Sequence, residues 1–382
     1  IIRSRDAMDP RLQKLNVRWF EGNVFDEAVV REAVDNIQFI FHLASAFRHG
    51  ETSEEMHRKV HLASTQLLAN AAAGIPGFQR FIHVSTVGVH SSVGETPADE
   101  NYSMAPADSY QKTKAEAENW LGIFAKERRL PFTIIRPCAI YGPRDRRLLK
   151  IFRMASWPII PLPSKRCCKY HMIHVDDMVD ALVTSATHPN ALNETFICGN
   201  PESIPIAEFI RIASRAQGLH SRILRIPAWP LMALAGFWED VCVKLRIPPL
   251  LYRRRVAFFT KNRAFNTSKI REKLGLVPLY SNESGIIQTA QWYLANGWLK
   301  PHTVTPAGPG AGSGTSSSCA RSPARSNHRA VLAVLLGIGA ILVFHVSGKL
   351  FPHAAWLLLL LFLAPWIPVL WRMHASSGSA DE

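Results

Sequence analysis

The sequence predicts an α/β protein with a doubly wound parallel sheet, because short apolar runs alternate with longer helical segments. The apolar runs lie at residues 37–41, 81–84 and 132–135. Segments of helical character, at 53–73 and 112–128, separate them. Continuously apolar strands that alternate with helices are typical of parallel strands joined by crossover helices, where both faces of the sheet are covered.

The remaining early elements follow in chain order. Residues 17–20 form a short apolar and aromatic run that ends near Gly22, which predicts a strand, and a helix is expected over 26–34. The amphipathic helix at 53–73 then meets Gly74 and Pro76, which stop it.

Several residues come directly after predicted strands. Ala44 and Ser45 follow the run at 37–41, Thr86 follows the next run, and Pro137 follows the third. In open parallel sheets, ligands bind at the carboxyl ends of the strands. These four residues are therefore predicted to lie on one rim of the sheet, beside a ligand.

The composition excludes some classes of protein. The net charge is +14, but the basic residues are scattered and no nucleic-acid-binding motif accompanies them. Such a surface equally suits anionic lipid or a phosphorylated cofactor, and we expect no nucleic-acid partner. The six cysteines show no CxxC spacing and no neighbouring histidine cluster, so we expect free thiols and no metal site.

Tyr110 and Lys114 give the strongest indication of chemistry. They lie four residues apart in a segment of high helix propensity, so both side chains face the same way. A tyrosine moves a proton near neutral pH when its phenolate is stabilised, which a lysine ammonium one turn away does. Ser85 and Thr86, at the end of a neighbouring strand, complete the predicted catalytic set, with the Thr86 hydroxyl holding a substrate oxygen.

These residues resemble the extended short-chain dehydrogenase/reductase superfamily, of the NAD-dependent epimerase/dehydratase type, over about residues 10–300. The motifs that carry the resemblance are His42-Leu43-Ala44, Val84-Ser85-Thr86, Tyr110 with Lys114, Arg136-Pro137-Cys138-Ala139-Ile140-Tyr141-Gly142-Pro143 and Ile173-His174-Val175-Asp176-Asp177. Within the superfamily, the chain looks most like the 3β-hydroxysteroid dehydrogenase and sterol-4-carboxylate dehydrogenase branch. That similarity lies in Ala264-Phe265-Asn266-Thr267-Ser268-Lys269, in Leu274-Gly275 with Pro278, and in residues 285–298.

The resemblance implies a Rossmann-like domain that binds NAD or NADP. It implies that Tyr110 is the acid/base, that Lys114 also holds the nicotinamide ribose, and that Thr86 orients the substrate oxygen. The residues that it places at the cofactor are Asn23, Val24, Leu43, Ala44, Ser45, Tyr110, Lys114, Pro137, Ala139 and Ile140. Arg3 and Arg5 lie near the position where the family usually has an acidic residue that binds the ribose of NAD, and they weakly favour NADP.

The sequence also departs from the family pattern. Ile1-Ile2-Arg3 looks like the end of the second strand, so the first strand and the G-x-x-G-x-x-G turn that holds the cofactor pyrophosphate are expected to be missing. His61 stands where the family usually has an Asn that supports a water-mediated proton relay. Asp176 or Asp177 is expected to cap a helix rather than to act in catalysis.

The chain changes character after residue 300. Residues 301–329 are rich in Pro, Gly, Ser and Ala and predict a flexible linker. Apolar runs of seventeen and eighteen residues follow at 330–346 and 354–371, and each would span about 26 Å as a helix. They predict a transmembrane helical hairpin at 330–371 with a polar tail at 372–382. Arginines on both flanks favour cytoplasmic ends, and the short spans suit the endoplasmic reticulum.

Together these features predict a truncated dinucleotide-binding domain at 1–145 and a substrate-binding region at 146–300, part of which returns to the sheet. The predicted function is hydride transfer between NAD(P) and a hydroxyl or ketone of a lipophilic, 3β-hydroxysteroid-like substrate. Two alternatives stay open: a nucleotide-sugar epimerase or dehydratase, and a membrane-tethered pseudoenzyme without the phosphate loop. The expected partners are the small lipophilic substrate, membrane lipid and a second copy of the chain in a homodimer. The expected location is the endoplasmic reticulum membrane, with the catalytic domain in the cytosol.

Overall fold

The structure is a computed structural model of the 382-residue chain, and it describes residues 1–4, 11–46, 53–94, 96–163, 168–244, 259 and 262–301. The chain divides into two compact units. The first unit comprises Ile1–Ala155, Lys169–Leu219 and Asn262–His302. The second comprises Ser156–Cys168, His220–Lys261 and Thr303–Glu382.

The described residues form helices and strands in alternation. The α-helices are α1 (Glu27–Ala33), α2 (Glu54–Arg58), α3 (Ser64–Ala73), α4 (Ser109–Arg128), α5 (Leu149–Met154), α6 (Val175–Thr187), α7 (Ile206–Arg215), α8 (Ala228–Lys244), α9 (Ser268–Leu274) and α10 (Asn282–Ala295). A π-helical turn, Lys59–Ala63, joins α2 to α3. The strands are β1 (Phe39–His42), β2 (Arg80–Val84), β3 (Phe132–Pro137), β4 (Ala139–Tyr141), β5 (Ile159–Leu162), β6 (Lys169–Tyr170), β7 (Met172–His174), β8 (Glu194–Cys198), β9 (Ile204–Pro205) and β10 (Arg222–Arg225).

A parallel sheet with the strand order β1-β2-β3-β8 lies at the centre of the first unit. The register places Phe39 beside Arg80 and Phe81 beside Phe132, and all three neighbouring pairs of strands run parallel. β8 belongs to the region predicted to bind substrate, and it pairs with β3. The predicted α/β class is confirmed.

Helices cover both faces of this sheet. Phe81 and Ile82 are neighbours in β2, so their side chains point to opposite faces. Phe81 shares a core cluster with Leu68 of α3 and Leu121 of α4, whereas Ile82 shares a different cluster with Met178 of α6. Burial on both faces explains why the strands are continuously apolar in sequence. The doubly wound arrangement is therefore confirmed as well.

The expected strand at residues 17–20 is not formed. These residues are irregular, and a single parallel bridge joins Ile2 to Glu21. The Ile2 N–H donates to the Phe20 carbonyl and the Gly22 N–H donates to the Ile2 carbonyl, each at 2.8 Å. A strand requires a continuous row of paired residues, and in the described part of the chain this stretch finds only Ile2 as a ladder partner.

The start of α6 also differs from expectation. His174, rather than Asp176 or Asp177, is the N-cap, since its Nδ1 accepts from the Asp176 N–H at 3.4 Å. Asp177 instead accepts from the backbone N–H groups of Leu279 and Tyr280, at 2.6 and 3.4 Å. Asp177 therefore ties α6 to the segment that precedes α10.

The second unit contains a two-stranded parallel pairing of β5 with β10, together with α8. Leu231, Ala235 and Trp238 of α8 are buried, whereas Trp229 and Phe237 are 76% and 66% exposed. Because Trp229 and Phe237 are eight residues apart, they lie close to the same side of the helix. α8 therefore presents aromatic side chains to solvent.

The membrane hairpin predicted at 330–371 lies outside the described residues, as do the linker and the polar tail. Among the helices that the structure describes, none has both the length and the apolar character needed to cross a bilayer.

Candidate active site

α4 carries the predicted acid/base pair, and its first turn places the pair at the rim of the sheet. Asp108 caps α4 by accepting from the Gln111 N–H at 2.9 Å. Lys114 is 1% exposed, and its Nζ donates to the Val84 carbonyl at 2.8 Å and to the Ala44 carbonyl at 3.4 Å. Val84 ends β2 and Ala44 follows β1. The Lys114 ammonium therefore joins the carboxyl ends of two adjacent strands, where a ligand is predicted.

The surroundings of Lys114 lower the pKa of its ammonium group. Burial lowers the pKa of Lys114 to about 8, and Glu118, one turn later on α4, acts in the opposite direction. Glu118 is held by the Arg136 guanidinium, whose Nη2 lies 2.7 Å from Oε2. Burial, and then the charge of Lys114, lower the pKa of His42 to about 3, and the same two causes lower that of His83. The site at neutral pH thus holds a protonated lysine beside two neutral histidines.

Tyr110 lies one turn before Lys114, as the spacing predicts. Its ring packs edge-on against His61, with the ring centroids 5.1 Å apart and the planes at 90°. His57 makes a second edge contact at 6.1 Å. Tyr110 is half-buried, so histidines hold its ring while part of it stays accessible to a ligand.

Ser85 and Thr86 follow β2 beside this pair. The Ser85 N–H donates to the Ile135 carbonyl at 2.8 Å, whereas its buried Oγ has no hydrogen-bond partner among the described residues. Thr86 Oγ1 accepts from the Gly88 N–H at 3.0 Å and keeps its own hydrogen for another acceptor. A buried hydroxyl without a partner costs free energy, so this strand end suits a ligand with polar atoms.

The loop after β1 holds three of the predicted cofactor residues. Leu43 and Ser45 are exposed, and Ala44 is half-buried. The Ala44 carbonyl accepts from Lys114, and Ser45 Oγ lies 3.4 Å from Nε2 of His61. The structure thus brings this loop to the Tyr110–Lys114 pair.

The other predicted cofactor residues lie in two further places. Pro137 is buried at the end of β3, while Ala139 and Ile140 are half-buried in β4, which pairs with β7. Asn23 is exposed in the turn before α1, and Val24 packs against the core cluster of α1 and α3. Pro137 therefore lies at the carboxyl end of a central strand like Ala44, whereas Asn23 and Val24 belong to the turn that leads into α1.

The site fits the nicotinamide end of the implied dinucleotide. The Lys114 ammonium and the unpartnered Ser85 hydroxyl lie at adjacent strand ends, where the hydroxyls of a ribose and a carboxamide would find partners. Tyr110, Lys114, Ala44 and Pro137 are the residues that would hold it. In the part of the chain that the structure describes, no three His, Cys, Asp or Glu side chains are grouped to hold a metal ion.

Two residues of the site were not predicted from the sequence. Thr113 Oγ1 lies 2.8 Å from Nδ1 of His61, and Glu118 pairs with Arg136. Thr113 is three residues after Tyr110 and Glu118 is four after Lys114, so helical spacing places both beside the pair. Their partners on other elements have no signal in the local sequence.

Comparison with known proteins supports the assignment of the site to a nicotinamide cofactor. The model of the NAD dependent epimerase/dehydratase family matches residues 1–199. The UDP-glucose 4-epimerase of Vibrio cholerae is 30% identical over 244 residues, which are 63% of this chain and 70% of that protein. The 3β-hydroxysteroid dehydrogenase/Δ(5)-Δ(4) isomerase 1 of Caenorhabditis elegans is 25% identical over an alignment of 355 positions that covers 89% of this chain and 71% of that protein.

Solved structures show the same fold. The dTDP-glucose 4,6-dehydratase of Bacillus anthracis str. Ames, solved in complex with NAD, has a TM-score of 0.58 at 20% identity. The superposition covers 76% of this chain and 84% of that one. The family model confirms the predicted superfamily and its nicotinamide cofactor. The chain is an NAD-dependent enzyme, and it belongs to the NAD dependent epimerase/dehydratase family.

Proposed function

We propose that the protein transfers a hydride between its nicotinamide cofactor and a hydroxyl or ketone of a lipophilic, 3β-hydroxysteroid-like molecule. The observation that carries the chemistry is the buried Lys114 ammonium, which lies one turn from Tyr110 and bonds to the ends of β1 and β2. This arrangement supports a proton donor and acceptor at the rim where the cofactor would bind.

Each residue of the site has a defined task in this reaction. The cofactor, which Tyr110, Lys114, Ala44 and Pro137 would hold, would supply the hydride chemistry at the carbon that carries the substrate oxygen. Tyr110 takes the proton from that oxygen in the oxidation and returns it in the reduction, while the Lys114 charge stabilises the phenolate. Thr86, whose hydroxyl hydrogen is left to donate, holds the same oxygen in place.

The lipophilic substrate is supported by three observations. Steroid dehydrogenases of the nematode and of other organisms are among the similar proteins. α8 in the second unit exposes Trp229 and Phe237. The sequence continues into the apolar runs at 330–346 and 354–371. A substrate dissolved in the bilayer would be reached most directly by an enzyme held at the membrane surface.

The apolar runs also support a location at the endoplasmic reticulum membrane, with the catalytic part in the cytosol, and we propose in addition that the chain forms a homodimer. Deleting residues 322–382 should release the protein from vesicles in a flotation assay and preserve its kinetics on a soluble substrate. If the shortened protein still floats with vesicles, another segment must anchor it. The first candidate is then the exposed aromatic side of α8, and Trp229→Ser would test it. Light scattering of the detergent-solubilised chain tests the homodimer.

A nucleotide-sugar epimerase or dehydratase is the second candidate. The Vibrio cholerae relative, which carries the name of such an enzyme, favours it. The two candidates differ in what stabilises the protein. Added to the protein already saturated with NAD, a 3β-hydroxysteroid should raise its melting temperature further if the first is right, and UDP should do so if the second is right.

The decisive variant for the proposed chemistry is Tyr110→Phe. Loss of the phenol should lower the rate of cofactor reduction with a 3β-hydroxysteroid by at least about 100-fold, while NADH affinity changes only a few-fold. Tyr102→Phe is the matched control, because Tyr102 is a surface tyrosine that contacts His90 rather than the site. Substantial turnover by the Tyr110 variant would remove Tyr110 from the reaction.

A further inference from the structure

His61 is the one departure from the family pattern that lies inside the site. It is fully buried in the π-helical turn between α2 and α3. Such turns insert an extra residue into a helix and are frequent at functional sites. The π-helical turn therefore marks His61 as a candidate functional residue rather than an ordinary residue of a continuous helix.

Both ring nitrogens of His61 have partners on other elements. Nε2 lies 3.1 Å from the backbone nitrogen of Ala46, and Nδ1 lies 2.8 Å from Thr113 Oγ1. A backbone N–H can only donate, so Nε2 is the acceptor and carries no hydrogen. Thr113 gives its hydroxyl hydrogen to the carbonyl of Ser109 or Tyr110, at 2.9 and 3.2 Å, so Nδ1–H is the donor to Thr113. The network thus assigns a neutral ring with the hydrogen on Nδ1.

These bonds connect two parts of the cofactor site. Ala46 ends the described part of the loop after β1, and Thr113 lies on α4 between Tyr110 and Lys114. The same loop is also held at the Ala44 carbonyl by Lys114. His61 in addition packs against the Tyr110 ring. One side chain therefore fixes the loop, the acid/base helix and the tyrosine ring relative to one another.

We infer that His61 is a positioning residue that clamps the cofactor loop 44–46 to the acid/base helix α4, and that it does so by direct bonds rather than through a water relay. With Nδ1–H given to Thr113 and Nε2 taken up by Ala46, the ring has neither a free lone pair nor a free hydrogen to pass a proton. The inference rests on the use of NAD by this site and is independent of the substrate class proposed above.

Two conservative variants separate the two halves of the clamp. In His61→Gln, the side-chain amide oxygen reaches the place of Nε2 and can accept from Ala46, while the bond to Thr113 is lost. In His61→Asn, the shorter amide reaches the place of Nδ1 and can donate to Thr113, while the bond to Ala46 is lost. His61→Phe removes both bonds and keeps the ring. His171→Gln is the matched control, since His171 is also buried and bonded through both ring nitrogens, to Asn200 and Phe265, but contacts neither Tyr110 nor the described part of the loop after β1.

The first readout is the dissociation constant of NADH, measured by fluorescence on the full chain. All three His61 variants should bind NADH about five- to thirty-fold more weakly, because each breaks at least one of the two bonds that hold loop 44–46 to α4, whereas the control should stay within about three-fold of the wild type. The rate at saturating cofactor should change less than the affinity in all of them. An affinity within about three-fold of the wild type in any of the three His61 variants would overturn the clamp.

The second readout needs no cofactor. Hydrogen exchange at the Ala46 amide should be slow in the wild type, in His61→Gln and in His171→Gln, and at least about ten-fold faster in the Asn and Phe variants. Fast exchange in the wild type would refute the bond to His61 directly. A wild type that fails to bind NADH but protects the Ala46 amide would count against NAD use and leave the clamp supported.

Discussion

The buried ammonium of Lys114 makes a quantitative prediction for stability against pH. Burial lowers its pKa in the folded chain to about 8 from an ordinary value of 10.5. The unfolded lysine therefore holds its proton more tightly than the folded one. Below pH 8, where both states are protonated, the folded state bears a cost of about 3 kcal/mol from this group. As the pH rises from 8 to 10.5, the unfolded state binds more protons and the cost disappears, so stability rises with pH.

Comparison with Lys114→Met isolates this contribution, because the variant lacks the group but keeps its length and fills the same space. The free energy of unfolding would be measured in urea from pH 7 to pH 10 for both proteins. Relative to the variant, the wild type should gain about 2.5 kcal/mol over this range, and the gain should begin near pH 8. The variant should also lose turnover, since the phenolate of Tyr110 then has no neighbouring ammonium.

Lys112→Met serves as the control, because Lys112 is exposed on the same helix. Its stability curve should run parallel to that of the wild type at every pH. If the free energies of unfolding of the wild type and Lys114→Met changed in parallel from pH 7 to pH 10, the reasoning would be refuted. Such a result would show that the pKa of Lys114 is the same in the folded and unfolded states.

Two further predictions concern contacts that hold the site in place. Glu118→Gln should destabilise the protein by about 3–5 kcal/mol, because it leaves the buried Arg136 guanidinium without its counter-charge, as urea unfolding would show. Gly285→Ala should lower the melting temperature, because a Cβ there would meet the Tyr141 hydroxyl. Tyr141→Phe should recover part of that loss, since this hydroxyl has no hydrogen-bond partner among the described residues.

Glu116 and Gly122, both on α4, provide controls for the glutamine and alanine variants. Glu116→Gln should cost less than about 1 kcal/mol, because the side chains of the Arg58–Glu116 pair are 50% and 41% exposed, whereas those of Arg136 and Glu118 are buried. Gly122→Ala should stabilise by about 0.5–1 kcal/mol, because a Cβ there meets no atom within 4 Å. Equal effects of the two glutamine variants, or of the two alanine variants, would contradict the role assigned to burial.

The sequence was most informative where the signal is local. The apolar runs located the central strands β1 to β3, and the four-residue spacing of Tyr110 and Lys114 placed the acid/base pair on one helix face. Local patterns were weaker where an element depends on a distant partner. Residues 17–20 have the composition of a strand but form none, and the bridge beside them joins Ile2 to Glu21. Asp177 is of a residue type that often caps helices, but it accepts from the Leu279 N–H instead.

The sequence by itself therefore determined the alternation of strands and helices, the family and the placement of the candidate acid/base pair on one helix face, because these follow from periodicity and from motifs within a few residues. Tertiary structure alone decided the partners of Lys114, which lie 30 and 70 residues away, and the bonds of His61 to Ala46 and Thr113. It also decided the low pKa of Lys114, since that depends on how completely the fold removes the ammonium from water. Burial and long-range pairing arise only when distant segments meet, and no local pattern records which segments those are.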